Sequence, residues 1–103
     1  REVIWVHHAA DFRMPADPDI PVYLSIDKDV LREEDARTNW DQGDLTLEEL
    51  SSFIRRTDES RRILGIDVCG EIPASKGGVE NEFILNCRTN VKLQELFISL
   101  QNR

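Results

Sequence analysis

Two aspartates separated by a single residue, Asp27 and Asp29, are the residues best suited to chemistry in this sequence. They follow the apolar run 22–26, which is rich in residues that favour β-strands and predicts a buried strand. Side chains alternate between the two faces of a strand, so both carboxylates are expected to point the same way. A Mg²⁺, Ca²⁺ or Mn²⁺ ion between them would remove their mutual repulsion. The sequence therefore predicts a metal site at the carboxyl end of this strand.

A pair of histidines, His7 and His8, follows another short β-type run, residues 3–6, which predicts a first strand. Such a pair could ligate a metal. Neighbouring residues on a strand point to opposite faces, so a polar strand terminus is the favoured interpretation.

The overall composition restricts the class of protein. The 103 residues are enough for one small domain, which we expect to be part of a larger one because the chain starts with arginine and almost at once enters an apolar run. A net charge of −7 argues against a nucleic-acid or anionic-membrane partner. No apolar run approaches the ~20 residues that cross a bilayer. Cys69 and Cys87 lie in apolar segments, which favours buried, reduced thiols and a cytoplasmic protein.

The elements around the aspartates predict a βαβ unit. Thr46 and Glu49 have the spacing of a capping box, and the apolar periodicity that follows predicts a helix over 47–56. Residues 63–69 predict a second buried strand. Residues 81–100 are predicted to be mostly helical, and Thr89-Asn90 could break them into two helices. The apolar residues predicted to lie roughly on one side are Phe83, Ile84, Cys87, Val91, Leu96, Phe97 and Leu100.

Two further features leave alternatives open. Asp67, in the second predicted strand, either joins the pocket of Asp27 and Asp29 or is a structural acid bonded to loop amides. Trp40 either packs against the domain and anchors the charged loop 32–44, or belongs to a loop that covers the pocket.

Two other motifs begin like this segment. A calcium-binding loop would need glycine where Arg32 stands and glutamate where Thr38 stands. The phosphatase signature of the haloacid dehalogenase superfamily also opens with a strand and Asp-x-Asp, but there a threonine usually follows, and here the next residues are Val30 and Leu31.

Three segments, in order, resemble the arginase/agmatinase (ureohydrolase) family. The first is Tyr23-Leu-Ser-Ile-Asp27-Lys-Asp29-Val-Leu31, which is similar to that family's Ser-[Phe/Ile/Leu]-Asp-x-Asp-x-[Leu/Phe] segment. The second, residues 36–49, looks like its glycine- and threonine-rich loop followed by a helix that opens with Thr/Ser-x-x-Glu. The third, residues 66–73, is similar to its strand ending in Asp-[Val/Ile/Leu]-Val-Glu-x-x-Pro.

The resemblance implies a three-layer α/β/α fold with a mainly parallel sheet, to which residues 1–103 would contribute the late strands as its C-terminal part. It implies a binuclear manganese site with Asp27 and Asp29 among the ligands. It further implies hydrolysis of a C–N bond in a guanidino or amidino small molecule, with Glu71, Thr38 and Trp40 as substrate contacts. Glu71 stands one residue later than the family glutamate.

The family's remaining metal-ligand motifs lie upstream of its Asp-x-Asp and are absent from this sequence. The isolated chain is therefore expected to be inactive. The partners expected besides the substrate are the remainder of its own polypeptide and, in a homo-oligomer, a second copy. Two alternatives stay open: a non-catalytic α/β binding or assembly module that retains the fold, and a magnesium-dependent phosphatase-like domain.

Overall fold

The computed structural model describes residues 3–36, 42–69 and 80–101. Two strands alternate with two helices in these residues, which form a small mixed α/β domain. Two short 3-10 turns precede and follow the first strand. The strands and helices are β1 (Val22–Asp27), α1 (Leu47–Ser60), β2 (Ile63–Cys69) and α2 (Glu80–Gln101), and the 3-10 turns are Ala9–Asp11 and Lys28–Val30.

The two strands are parallel neighbours, and α1 connects them, so the predicted βαβ unit is confirmed. The register sets Ser25 opposite Asp67 and Asp27 opposite Cys69. These residues share the face of the sheet that is exposed. The carboxyl ends of both strands therefore lie at the same edge of the sheet, with Asp27 and Cys69 as the final pair.

The hydrophobic core lies on the opposite face of the sheet. Both helices contribute to it, together with alternate residues of the strands, so both helices cover the same face. The described residues thus form two layers, and the predicted three-layer arrangement stays a prediction. The buried residues are Ile26, Leu31, Ala36, Leu45, Leu47, Leu50, Ile54, Leu93 and Leu96, with Leu24 and Ile66 packed against them.

The start of α1 is the capping box that the sequence predicts. The Thr46 hydroxyl accepts a hydrogen bond from the Glu49 amide, and the Glu49 carboxylate accepts one from the Thr46 amide, both at 3.0 Å. The predicted end is wrong: the helix continues to Ser60, because its polar final turn extends the apolar face by way of Thr57, which is buried. The last turn of α1 therefore contains no basic residue, and Arg55 lies before it, so its charge does not interact with the carboxyl end of the helix dipole.

The predicted strand over residues 3–6 is wrong. This segment belongs to an extended N-terminal arm, residues 3–21, and no described strand pairs with residues 3–6. The arm is held by side chains instead: Phe12 stacks on Phe53 of α1 with ring centroids 4.3 Å apart, and the Arg56 guanidinium lies 4.7 Å above the Phe12 ring. Residues that favour β-strands do not form one without a neighbouring strand.

The second helix, α2, is continuous through Thr89, so the predicted break is wrong. The Thr89 hydroxyl is buried, and it donates a hydrogen bond to the backbone carbonyl of Asp35, so this polar group has a partner inside the fold. The expected apolar face is also wrong in part, because Ile84 and Val91 are about half exposed, whereas Thr89 is buried. Within the described residues, neither helix is long and apolar enough to cross a membrane.

The two cysteines are exposed, so the prediction of burial is wrong; they form no disulfide with each other, and the prediction of reduced thiols stays a prediction. Cys69 is exposed because it lies on the uncovered face of the sheet. Cys87 is exposed because α2 turns this residue away from the core.

Candidate metal site

The two aspartates lie on a turn, not on a continuous strand. β1 ends at Asp27, and the chain enters the 3-10 turn Lys28–Val30 immediately afterwards. The Asp27 carboxylate caps this turn by accepting a hydrogen bond from the Asp29 amide at 3.0 Å. The expectation that strand alternation aligns the two carboxylates is therefore wrong, and the capped turn sets their relative orientation. The turn lies at the carboxyl edge of the parallel pair, where open α/β folds bind ligands.

One carboxylate oxygen of the turn is buried without a partner. Oδ1 of Asp29 is inaccessible to solvent and has no hydrogen-bond partner among the described residues. A buried acceptor without a partner costs free energy, more so when it is charged. A cation at this oxygen would remove the cost, and carboxylate oxygen is a ligand that Mg²⁺, Ca²⁺ and Mn²⁺ share. The chemistry of this pair of side chains thus fits a hard divalent metal.

The backbone of the turn is fixed by the segment that precedes α1. The Gly43 amide donates to the Asp29 carbonyl at 2.6 Å, and the Leu45 amide donates to the Val30 carbonyl at 3.0 Å. Gly43 has to be a glycine here, because a Cβ atom at this position would lie 2.6 Å from the Val30 carbonyl oxygen. No spacing in the sequence indicates that Gly43 and Leu45 bond to the turn.

Gln42 reinforces the same segment through its side chain. Its amide nitrogen donates to the carbonyls of Leu31 at 3.0 Å and Ala36 at 2.7 Å. Gln42 therefore ties together the two ends of residues 36–42, beside the aspartate turn.

Lys28 is a further residue of the site that sequence reasoning did not assign. Its side chain is 0% exposed, and its ammonium group donates to the Asn90 side-chain oxygen at 2.9 Å. The sequence signal for Lys28 was its position next to Asp27 at the end of an apolar strand, because neighbouring side chains of a strand point to opposite faces. The partner on α2 lies 62 residues away and leaves no local signature.

Asp67 belongs to a separate cluster on the exposed face of the sheet. Its two carboxylate oxygens accept hydrogen bonds from the Ser25 hydroxyl at 2.7 Å and the Tyr23 hydroxyl at 3.1 Å. This geometry favours the structural alternative for Asp67, although its donors are strand hydroxyls and not the expected loop amides. The bond to Asp67, followed by its negative charge, raises the pKa of Tyr23. Slight desolvation of the exposed thiol, followed by the negative charges of Asp27, Asp67 and Asp29, raises the pKa of Cys69.

The histidine pair lies in the exposed N-terminal arm. His8 Nδ1 is 3.1 Å from a carboxylate oxygen of Asp44, and the His7 ring stacks on Trp5 with centroids 6.3 Å apart. The amides of both histidines donate to the Asp11 carboxylate and hold its pKa below the ordinary value. The favoured interpretation, a polar strand terminus, is wrong about the strand, because residues 3–6 form none among the described residues.

The three predicted substrate contacts, Thr38, Trp40 and Glu71, lie outside the described residues. Within residues 3–36, 42–69 and 80–101, no group of three or more histidine, cysteine, aspartate and glutamate side chains is arranged to hold a metal. Asp27 and Asp29 are two carboxylates, one short of such a group.

Comparison with known proteins gives one relative of the chain. An uncharacterized protein of Thermotoga maritima is 51% identical over 51 residues, which is 50% of this chain and 20% of that protein. The matched part thus covers about a fifth of the length of this relative. No protein-family model and no solved structure matches the chain.

Proposed function

We propose that the full-length gene product is an arginase-like, metal-dependent hydrolase that cleaves a C–N bond in a guanidino or amidino small molecule. The observation that carries this proposal is the buried Oδ1 of Asp29, which has no hydrogen-bond partner among the described residues and lies on the turn that also carries Asp27. The position of the turn at the carboxyl edge of a parallel sheet supports it. The order of the Asp-x-Asp turn, the capped helix and the second strand supports the same family.

Manganese is the metal proposed, and Asp27 and Asp29 are the residues that would hold it. The Asp27 carboxylate would keep its bond to the Asp29 amide through one oxygen and offer the other oxygen to the metal. Two carboxylates do not complete a binuclear site. The remaining ligands are proposed to come from elsewhere in the full-length polypeptide, which would also supply the third layer of the fold. A cytoplasmic location is part of the proposal, since two cysteines give little reason to expect a disulfide-bonded, secreted protein.

The chain's own residues have two roles in this proposal. Asp27 and Asp29 bind the metal, while Gly43 and Leu45 hold the turn so that the carboxylates keep one orientation. Bound metal ions would polarise the substrate and lower the pKa of water for attack on the amidine or guanidine carbon. Thr38, Trp40 and Glu71 are proposed to contact the substrate.

Manganese binding tests the proposal. Calorimetry on the metal-free full-length gene product should detect binding, and Asp29→Asn should abolish it. Asp17→Asn is a matched control, because Asp17 also accepts an amide two residues later, from Asp19 at 2.9 Å, but lies in the N-terminal arm. Loss of binding in Asp29→Asn alone supports the site. Equal binding by both variants contradicts it.

Product analysis separates the classes of function. A set of guanidino and amidino compounds is incubated with the manganese-loaded protein, and urea and ammonia are measured. Release that disappears in Asp29→Asn supports the hydrolase. Phosphate release from phosphoesters with magnesium would favour the phosphatase-like alternative. A protein that binds no metal and shows neither activity would favour a binding or assembly module.

A further inference from the structure

The buried side chain of Lys28 has no explanation in packing alone. It lies between two aspartates, and it is 0% exposed, whereas the preceding Asp27 is exposed. Burial of an ammonium group costs free energy that an apolar side chain at the same place would avoid. A lysine at this position is therefore expected to make an interaction that an apolar residue cannot make.

That interaction reaches the middle of α2. The Lys28 ammonium group donates to the Asn90 side-chain oxygen at 2.9 Å. The preceding residue of the helix, Thr89, donates to the carbonyl of Asp35. Two consecutive residues of α2 thus hold the segment that follows β1, one at the aspartate turn and one beyond it.

We propose that Lys28 and Asn90 are a positioning pair, through which α2 fixes the turn that carries Asp27 and Asp29. This inference rests on the metal site proposed above. The neighbouring loop already holds the backbone of the turn through Gly43, and the lysine side chain holds the turn from the side of the core. Groups that orient metal ligands without touching the metal commonly change its affinity by about 10- to 100-fold.

Positioning and simple electrostatics predict opposite effects. Lys28 carries a positive charge close to a site for cations, so its charge alone weakens the binding of Mn²⁺. Lys28→Met would then tighten binding. If Lys28 positions the turn, the same substitution loosens the carboxylates and weakens binding by about 10-fold or more. The sign of the change therefore distinguishes the two roles.

A double-mutant cycle tests the inference. Calorimetry with manganese chloride and unfolding in urea are carried out on the metal-free full-length gene product, its Lys28→Met and Asn90→Leu variants, and the double variant. Lys92→Met is the matched control, because Lys92 is an exposed lysine two residues after Asn90 on α2. We expect each single variant to be less stable and the double variant to lose less than the sum of the two losses, because neither group then leaves the other one of this pair unpaired.

Manganese affinity should not recover in the double variant. We expect it to stay about 10-fold or more below that of the wild type, while Lys92→Met binds as the wild type does. If the double variant binds as tightly as the wild type or more tightly, the positioning role is overturned and the metal site remains. If the wild type itself binds no manganese, both proposals are overturned. The manganese affinity of the double variant, compared with that of the wild type, tests the positioning role even if a single variant fails to fold.

Discussion

Gly43→Ala should disrupt the aspartate turn, because the close approach of Gly43 to Val30 leaves no room for a Cβ atom. The added Cβ would lie 2.6 Å from the Val30 carbonyl oxygen and 3.2 Å from the Val30 carbonyl carbon and Cα, where ordinary contacts begin near 3.4 Å. These are backbone atoms, so no side chain can rotate away to make room. The segment around Gly43 or the turn around Val30 must move.

That movement breaks or stretches two hydrogen bonds. The Gly43 amide donates to Asp29 at 2.6 Å, and the Leu45 amide donates to Val30 at 3.0 Å. Each bond contributes about 1 kcal/mol, and displacement of a packed segment costs about 1–3 kcal/mol more. The lower entropy of the unfolded alanine chain returns about 0.4–1 kcal/mol. We expect the free energy of unfolding to fall by about 2–4 kcal/mol.

The assay is equilibrium unfolding in urea, with Gly65→Ala as the matched control. A Cβ at Gly65 would lie 2.7 Å from the ring of Tyr23, which is 59% exposed and can move aside at the expense of its bond to Asp67. The control should therefore lose at most about 1 kcal/mol. If Gly43→Ala unfolds within about 0.5 kcal/mol of the wild type, the close approach between the loop and the aspartate turn is refuted.

Three further predictions concern the cap, the core and the exposed face of the sheet. Thr46→Ala should lower the free energy of unfolding by about 1 kcal/mol, because the capping box loses its hydroxyl, and Thr46→Ser should restore most of it; urea unfolding measures both. Leu93→Ala should cost about 2–5 kcal/mol in the same assay, because Leu93 is 2% exposed, whereas Val91→Ala at a 51% exposed position of the same helix should change stability by less than about 0.5 kcal/mol. Tyr23, the only tyrosine, should titrate above the ordinary pKa of tyrosine, so its bond to Asp67 stabilises the fold below that pKa and is lost as the pH rises through the raised value. Asp67→Asn should lower the Tyr23 midpoint, which the absorbance of tyrosinate reports directly, and an unchanged midpoint would contradict the bond.

The parts of the fold that local sequence determines could be predicted. The start of α1 follows from the reciprocal bonds of Thr46 and Glu49, which depend on residues three apart. The two strands follow from apolar runs bounded by polar residues, and the helix between them implies a parallel pair. Such signals lie within a few residues of the element that they specify.

The errors arose where distant residues decide. Residues 3–6 have the composition of a strand but find no strand to pair with. Thr89 and Asn90 look like a helix break, yet their side chains bond to Asp35 and Lys28, more than fifty residues away. Cys87 matched an apolar pattern that includes both faces of α2, and tertiary packing chose the other face.

The candidate site was predicted in part. The apolar strand and the Asp-x-Asp spacing indicated Asp27 and Asp29. The turn that orients them depends on a side-chain cap and on the close approach of Gly43, which strand periodicity cannot indicate. The role of Lys28 depends on its bond to Asn90 of α2, which the sequence around Lys28 does not indicate. The substrate contacts at Thr38, Trp40 and Glu71 stay predictions.

Anomalous diffraction from manganese-loaded crystals of the full-length gene product is the decisive test of the metal site. Manganese peaks are expected within coordination distance of Asp29 Oδ1 and of the Asp27 carboxylate. Manganese bound elsewhere, or no manganese, with a protein hydrogen-bond donor at Asp29 Oδ1, would contradict the metal site and make the two aspartates structural residues of the turn.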